Sequence, residues 1–216
     1  MTMKRLLALL WAVLLLCALC ACGKDANDAN ATTTTTALRT PPAEDIGVVA
    51  ETFLTAYMMR NYAVRYDMYC YDARAQWEDS VKEENGGSAD AFFAEAQKQA
   101  EAKGLDYTVD SFDSYLSAYH QFILADYTNT YGTFTVSVEA VDSVKQDAET
   151  MAKTIDGLLS AVNEKYLDMD KINAITEAYT IEVEFRVDGD KKDYFERKLV
   201  QIVNYDGEWK VISHSI

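Results

Sequence analysis

Proline and histidine are the scarcest residues of this 216-residue chain, with two of each. The prolines are adjacent, at positions 41 and 42, so none interrupts the chain beyond them. The histidines, His120 and His214, are too few for a metal site built on three histidines. The chain also lacks the glycine loop that cradles nucleotide phosphates and the Gly-x-Ser-x-Gly motif of serine hydrolases. The sequence therefore excludes the enzyme classes that these motifs define.

Basic residues are also few, because 20 lysines and arginines stand against 35 acidic residues. All the acidic residues follow residue 21, whereas two of the basic ones, Lys4 and Arg5, precede it. From residue 22 onward the chain thus has 18 basic residues and a net charge of −17. Nucleic-acid phosphates repel such a surface, and no basic patch with interleaved aromatic residues is present. A nucleic-acid partner is therefore not expected.

The amino terminus has the layout of a secretory signal. Its two basic residues precede 16 uncharged, mostly apolar residues, 6–21. This run is shorter than the roughly 20 residues that a membrane-spanning helix needs, and no basic stop-transfer cluster follows it. The sequence predicts that residues 1–21 are a signal peptide and that the rest of the chain is exported.

The end of this signal, Leu19-Cys20-Ala21-Cys22, resembles the lipobox of bacterial lipoproteins. The resemblance implies cleavage before Cys22 and attachment of a diacylglyceryl group, with acyl chains such as palmitate, to Cys22. Two acyl chains anchor a protein stably, at about 0.8 kcal/mol per buried methylene. We therefore expect a membrane anchor on Cys22 and a domain on the extracytoplasmic side. A cleaved signal with incidental cysteines is the alternative.

Cleavage before Cys22 would leave Cys70 as the one further cysteine. A single thiol cannot form an intramolecular disulfide, and a nucleophilic thiolate needs a base that the sequence does not place beside it. We expect Cys70 to be a small buried residue.

Residues 22–42 follow the signal as a linker, and residues 43–216 form one domain. The segment 23–42 is rich in alanine, asparagine and threonine, with Leu38 as its one large aliphatic residue and no aromatic residue. Such a segment cannot bury enough apolar surface to offset the entropy of ordering. The apolar pattern begins directly after the two prolines, and 174 residues suffice for a substantial core.

Along the domain, apolar residues first recur at the spacing of helices and later alternate as in strands. Helical spacing covers about 46–59, a second segment carrying Tyr62, Tyr66 and Tyr69, residues 88–103, and a segment from Phe112 to Ile123. Alternation then predicts strands at 134–140, 179–188, 194–205 and 208–216, with turns at Asp188-Gly189 and Asp206-Gly207. A long helix, about 147–167, is inserted after the first strand. The pattern predicts an α+β fold and leaves the topology of residues 105–175 open.

Two segments resemble the nuclear-transport-factor-two-like (cystatin-like) superfamily. They are AETFLTAYMMRNYAVRYDMY (50–69), with its helix, polar break and second helix, and YDGEWKVISHSI (205–216), with its terminal hairpin. The resemblance implies amino-terminal helices packed on a curved antiparallel sheet in a cone-like arrangement. The inserted long helix departs from that pattern. We expect Trp209 to be largely buried near Phe53, and Trp209, Val211 and Ser213 to share one face of the last strand.

Tyrosine, with 14 residues, is the unusual component of the domain. Tyr62 and Tyr66 on one helix, and Tyr115 and Tyr119 on another, could line a ligand pocket with their hydroxyl groups. Some members of the resembled superfamily use a tyrosine with a carboxyl group for proton transfer. Tyrosines at helical spacing also pack with the ring inward and the hydroxyl outward. Both interpretations stay open.

Two functions therefore remain, and neither requires a cofactor or metal. The favoured one is a membrane-anchored lipoprotein with a non-catalytic domain that binds an envelope protein or a small ligand. The alternative is a tethered enzyme, of isomerase or hydrolase type, with a tyrosine and carboxyl pocket. Asp168, Asp170 and Asn173 lack the following glycine that a calcium loop needs, so they do not indicate a metal site.

Overall fold

The structure, a computed structural model, describes residues 42–215. The predictions of a signal peptide, of lipidation at Cys22 and of a linker over residues 22–42 concern residues outside this range, apart from Pro42. Within residues 42–215, no helix combines the length and the apolar character that crossing a membrane requires.

Helices precede a four-stranded antiparallel sheet, so the fold is α+β as predicted. The helices are α1 (Glu44–Met58), α2 (Tyr62–Asp67), α3 (Ala73–Glu84), α4 (Asp90–Ala102), α5 (Phe112–Tyr131), α6 (Ala148–Ala161) and α7 (Met169–Asn173). A short 3₁₀ turn, Glu164–Tyr166, lies between α6 and α7. The strands are β1 (Phe134–Lys145), β2 (Ala178–Gly189), β3 (Tyr194–Tyr205) and β4 (Glu208–His214), and their order in the sheet is β1-β2-β3-β4.

The inserted helix between β1 and β2 is present, but it ends at Ala161 rather than near residue 167. Asp147 begins it, since its carboxylate accepts a hydrogen bond from the amide of Thr150 at 2.8 Å. Val162 then leaves the helical conformation with extended backbone angles. Asn163 starts the 3₁₀ turn by accepting a hydrogen bond from the amide of Lys165. The prediction was too long because apolar spacing continues across this break.

The turn between β2 and β3 lies beyond Asp188-Gly189, so that prediction was wrong. Both residues belong to β2, where Gly189 pairs with Phe134. A Cβ atom on Gly189 would lie 2.4 Å from the carbonyl oxygen of Tyr131, so the glycine is required for close approach rather than for the turn. The Asp206-Gly207 turn is confirmed, with φ angles of 57° and 85°.

The two faces of the sheet carry separate cores. The α1 face is the larger one, and Phe53 of α1 is fully buried against it, a burial that contributes about 1.5–3 kcal/mol. Its buried sheet residues are Ile181, Val183, Phe185, Val187, Val200, Ile202 and Val211. The α6 face is smaller, with buried residues Leu158, Val162, Ala178, Val203 and Ile212.

A β-bulge in the last strand changes which residues face α1. Val211 pairs with Ile202, and the next pair is Ser213 with Gln201, so Ile212 is an extra residue. Ser213 hydrogen-bonds to Gln201 on the α6 face, and the prediction that it shares a face with Val211 was wrong. After the bulge His214 lies on the α1 face, where the sequence alone had not placed it.

Trp209 is only partly buried, and the prediction of a largely buried indole was wrong. Its Nε1 donates a hydrogen bond to the Oδ2 atom of Asp45, in the first turn of α1, at 2.8 Å. The indole also packs edge-on against Tyr179, with ring centroids 5.7 Å apart. Trp209 therefore joins the end of the sheet to the start of α1.

Candidate functional site

The structure brings all four predicted pocket tyrosines together. Tyr62 stacks on Tyr66 at 5.7 Å, Tyr115 on Tyr119 at 5.8 Å, and Tyr62 lies 5.5 Å from Tyr119. Trp77 closes the ring, because its centroid is 5.7 Å from that of Tyr66 and 5.8 Å from that of Tyr115. Helices α2, α3 and α5 are thus joined by a continuous circle of five aromatic side chains.

The sequence pattern did not identify Trp77 as a site residue, because helix α3 was not predicted. The signal was present: Asp72 is a helix-capping residue, and Ala73, Trp77 and Val81 follow at intervals of four. In the structure the Asp72 carboxylate accepts a hydrogen bond from the amide of Ala75 at 2.9 Å. Ala73 and Val81 are buried.

Three tyrosines of this ring, Tyr66, Tyr115 and Tyr119, stay protonated at neutral pH, so they can donate hydrogen bonds. Burial raises the pKa of Tyr66 and of Tyr115 well above the usual value. Burial also raises the pKa of Tyr119, and the neighbouring Tyr62 adds to the shift. None of the three is suited to act as a base near neutral pH.

Two arginines lie against these tyrosines at the corner between α1 and α2. Arg60 has a φ of 53° and places its guanidinium carbon 5.3 Å from the ring centre of Tyr57. The Arg65 guanidinium lies 5.5 Å from the same ring, 4.7 Å from Tyr62 and 5.4 Å from Tyr66. Cation–π contacts of this kind contribute about 0.5–2 kcal/mol each. We call Arg60, Arg65, Tyr57, Tyr62 and Tyr119 the Arg–Tyr site.

Neither arginine of the Arg–Tyr site pairs with a carboxylate from residues 42–215. The other three arginines in that range do: Arg74 binds Glu78 and Asp113, and Arg186 and Arg197 both bind Glu184. The Nε atom of Arg65 is buried and has no hydrogen-bond partner within the described chain. Buried polar groups normally have partners, so this one requires an explanation.

Three tyrosines, Tyr57, Tyr62 and Tyr119, lie near enough to the Arg60 guanidinium to influence its pKa. Burial lowers the pKa of Arg60, but the neighbouring Tyr62, Tyr57 and Tyr119 outweigh it, and the net shift is upward. Arg60 also faces Tyr127 of α5, whose hydroxyl donates a hydrogen bond to the carbonyl of Met58 at 3.3 Å. The cation is therefore held in place by phenol groups rather than by a carboxylate.

The sheet contributes an ion pair and a histidine to the same interior. Lys198 of β3, with a side chain only 12% exposed, binds Glu196 at 2.6 Å, and the Tyr194 hydroxyl donates a hydrogen bond to Glu196. His214 packs 4.7 Å from Tyr57 and 5.1 Å from Phe53. Its Nδ1 atom lies 3.5 Å from the Tyr69 hydroxyl.

His214 is uncharged at neutral pH. Burial, together with the positive charges of Arg65 and Lys198, lowers its pKa to about 4. A histidine with this pKa is unprotonated at pH 7, so it cannot serve as a general acid there, and its low basicity suits it poorly as a general base.

A groove of about 650 Å³ adjoins the Arg–Tyr site between α1, α5 and β1. Several of its lining residues, namely Met59, Asn61, Val64 and His120, are sequence neighbours of Arg60, Arg65 and Tyr119. The rest of the lining combines four apolar residues with two threonines and one carboxylate, namely Ala56, Leu124, Val136, Val138, Thr52, Thr55 and Glu51. The His120 Nδ1 atom lies 2.9 Å from the carbonyl oxygen of Met59 and ties α5 to the end of α1.

A second cleft, of about 440 Å³, lies at the opposite end of β4 and is lined by Cys70, Tyr71, Tyr205 and several charged residues. Its lysines are already paired, Lys171 with Asp206 at 2.9 Å and Lys210 with Glu208 at 3.3 Å. Cys70 is 1% exposed, as predicted, and burial raises its pKa to about 12. A thiol with that pKa does not supply a thiolate nucleophile.

The described residues thus offer hydrogen-bond donors and cations more than reactive groups. Across 42–215, no set of three or more His, Cys, Asp and Glu side chains is arranged to hold a metal ion. Protonated tyrosines, two arginines without carboxylate partners and a neutral histidine can bind and orient a ligand. No protein-family model, no curated protein and no solved structure matches this chain.

Proposed function

We propose that the protein is a membrane-anchored extracytoplasmic lipoprotein whose domain binds a small ligand at the Arg–Tyr site without chemically changing it. One observation carries the binding part. Two arginines with no carboxylate partner among residues 42–215 lie on tyrosine rings beside a 650 Å³ groove, in a chain where acidic residues outnumber basic ones. Free cationic donors beside a concave, partly apolar surface are typical of ligand sites.

The anchoring part is supported by the sequence. The charged start, the short apolar run and the four residues ending at Cys22 coincide within the first 22 residues. Acyl chains on Cys22 would hold the domain at the outer side of the membrane, with the segment before residue 43 as a tether.

A tethered enzyme is the second candidate, because Glu196 lies beside Tyr194 as that function would require. The same carboxylate is bound to Lys198 at 2.6 Å. The lysine neutralises the carboxylate and occupies one of its oxygens, which favours a structural or ligand-positioning role over proton transfer.

Two measurements test the proposed function. For the anchor, cells producing the wild type, Cys22→Ser or Cys20→Ser are fed an alkyne fatty acid and fractionated. We expect label and membrane association to be lost in Cys22→Ser and retained in Cys20→Ser. Equal label in both variants would remove the anchor on Cys22.

For binding, the melting temperature of the full-length protein in a non-ionic detergent is measured against a panel of small acids, bases and neutral compounds. A ligand that binds only the folded state raises the melting temperature according to its concentration and affinity. We expect at least one class to do so, and to lose the effect in Tyr62→Ala. A panel in which no class raises the melting temperature would contradict small-ligand binding.

A further inference from the structure

The chemistry of the ligand can be inferred from the Arg–Tyr site, and this step rests on the proposed binding function. We propose that the ligand carries an oxyanion, a carboxylate or phosphate, attached to a flat or apolar body. Arg60 and Arg65 bind the oxyanion, and the adjoining groove takes the body.

Charge is distributed unevenly over the arginines of the domain. From residue 22 onward the chain has 35 acidic residues for 18 basic ones, so carboxylates are abundant. Arg74 and Arg186, on the outer helices and strands, each lie 2.9 Å or less from a carboxylate oxygen. Arg60 and Arg65 are nevertheless without one among residues 42–215. Two cations without a carboxylate partner among the described residues can pair with an anion from outside.

The guanidinium groups of Arg60 and Arg65 lie near the same aromatic ring. Both guanidinium carbons lie within 5.5 Å of the centre of the same Tyr57 ring, so they are at most about 11 Å apart. A guanidinium on a ring face keeps the N–H groups at its edge available for a planar, two-pronged contact with an oxyanion. The buried Nε atom of Arg65 has a hydrogen to donate and no acceptor within the described chain. An oxyanion supplies that acceptor.

Two carboxylates near these tyrosines are each paired with a lysine. Of the carboxylates that act on these tyrosines, Glu196 is bound to Lys198 at 2.6 Å, and Asp126 lies 3.8 Å from Lys103. Neither is therefore an uncompensated negative charge that would repel an anion. His214 adds no charge at neutral pH, and the tyrosine hydroxyls around Arg60 are further donors.

The groove specifies the rest of the ligand. Ala56, Leu124, Val136 and Val138 form an apolar part of its wall. The same wall carries Thr52, Thr55 and Glu51, and the Glu51 carboxylate accepts a hydrogen bond from the amide of Ala140 at 2.9 Å. An inorganic ion alone would leave the apolar part in contact with water. A ligand with an apolar body buries it, at about 25 cal/mol per Å².

The test measures binding to the full-length protein in a non-ionic detergent by isothermal titration calorimetry. The probes are phenyl phosphate and benzoate, with benzyl alcohol and benzylamine as neutral and cationic compounds of similar shape, and inorganic phosphate as the anion without a body. We expect phenyl phosphate or benzoate to bind more tightly than any of the other three.

The variants are Arg60→Gln, Arg65→Gln and Arg65→Lys, with Arg74→Gln as a matched control that removes an exposed, carboxylate-paired arginine. Loss of a charge-assisted hydrogen bond weakens binding about 10- to 100-fold. We therefore expect Arg60→Gln and Arg65→Gln each to bind the anionic probes about 10- to 100-fold more weakly than the wild type. Arg65→Lys keeps the charge and should lie between Arg65→Gln and the wild type. Arg74→Gln should bind as the wild type does.

Several results would overturn the inference. Benzylamine or benzyl alcohol binding as tightly as the anions would do so, and so would unchanged affinity in both interior Gln variants. Failure of both anions to bind would also refute it, whereas a base or neutral compound found in the melting panel would leave the proposed function intact. If the Gln variants do not fold, the comparison of probes on the wild type decides alone.

Discussion

The buried position of His214 links the stability of the fold to pH, and replacing His214 with glutamine removes that contribution. The imidazole lies on the α1 face of the sheet against Phe53 and Tyr57. Burial, with Arg65 and Lys198 nearby, lowers its pKa from 6.5 to about 4 in the folded chain.

The direction in which stability changes with pH depends on which state binds the proton. Between pH 4 and 6.5 the unfolded chain holds a proton on His214 that the folded chain lacks, so acid favours unfolding. The stabilisation is fully present above pH 6.5 and is lost as the pH falls toward 4. The difference between the two pKa values corresponds to about 2 kcal/mol between pH 7 and pH 5. Because the ring is partly exposed, water screens the effect, and we expect about 1–2 kcal/mol.

The assay is urea unfolding of the wild type and His214→Gln at half-unit steps from pH 4.5 to pH 7.5. Carboxylates titrate in both proteins, so the difference between their free energies of unfolding isolates His214. This difference should shrink by about 1–2 kcal/mol from pH 7 to pH 5, because only the wild type loses stability through the histidine. A difference that stays constant over the whole range would refute the burial and charge argument.

Three further predictions concern packing. Trp209→Phe removes the hydrogen bond to Asp45 and should lower the free energy of unfolding by about 1–2 kcal/mol in urea melts; an unchanged midpoint would mean that the bond contributes nothing. The Cys70 thiol, 1% exposed with a pKa of about 12, should react with a maleimide only in denaturant, and rapid labelling of the folded protein would contradict its burial. Gly189→Ala forces a Cβ atom to 2.4 Å from the Tyr131 carbonyl and should lower the melting temperature by several degrees, with Gly157→Ala, which meets no atom, as the tolerated control.

The sequence predicted those elements whose apolar period is long and uniform. Helix α1 and strand β1 follow this rule, and the Asp206-Gly207 turn has the residue types that positive φ angles require. Helix α3 was missed because its three apolar positions are separated by charged residues, which gives a weak period. The Asp188-Gly189 prediction failed because the sequence alone does not distinguish a glycine needed for close packing from a glycine needed for a turn.

The site was harder to predict than the fold. The four tyrosines were found from helical spacing, and the structure places them in one ring. The sequence did not identify Arg60 and Arg65, because their stacking on Tyr57 depends on how α1 and α2 meet. His214 was hidden for another reason. Val211 and Ile212 are both apolar, so alternation alone does not show that Ile212 is the extra residue that turns His214 inward.

The central claim, that the Arg–Tyr site binds the ligand, is tested most directly by the NMR resonances of the arginine Nε–H groups. The Arg65 Nε atom lacks a hydrogen-bond acceptor within the described chain, whereas the Arg74 Nε atom donates to Glu78 at 2.8 Å. Saturation with a ligand from the melting panel should shift the Arg65 Nε–H resonance strongly and leave that of Arg74 in place. An unshifted Arg65 resonance in the saturated protein would contradict the account.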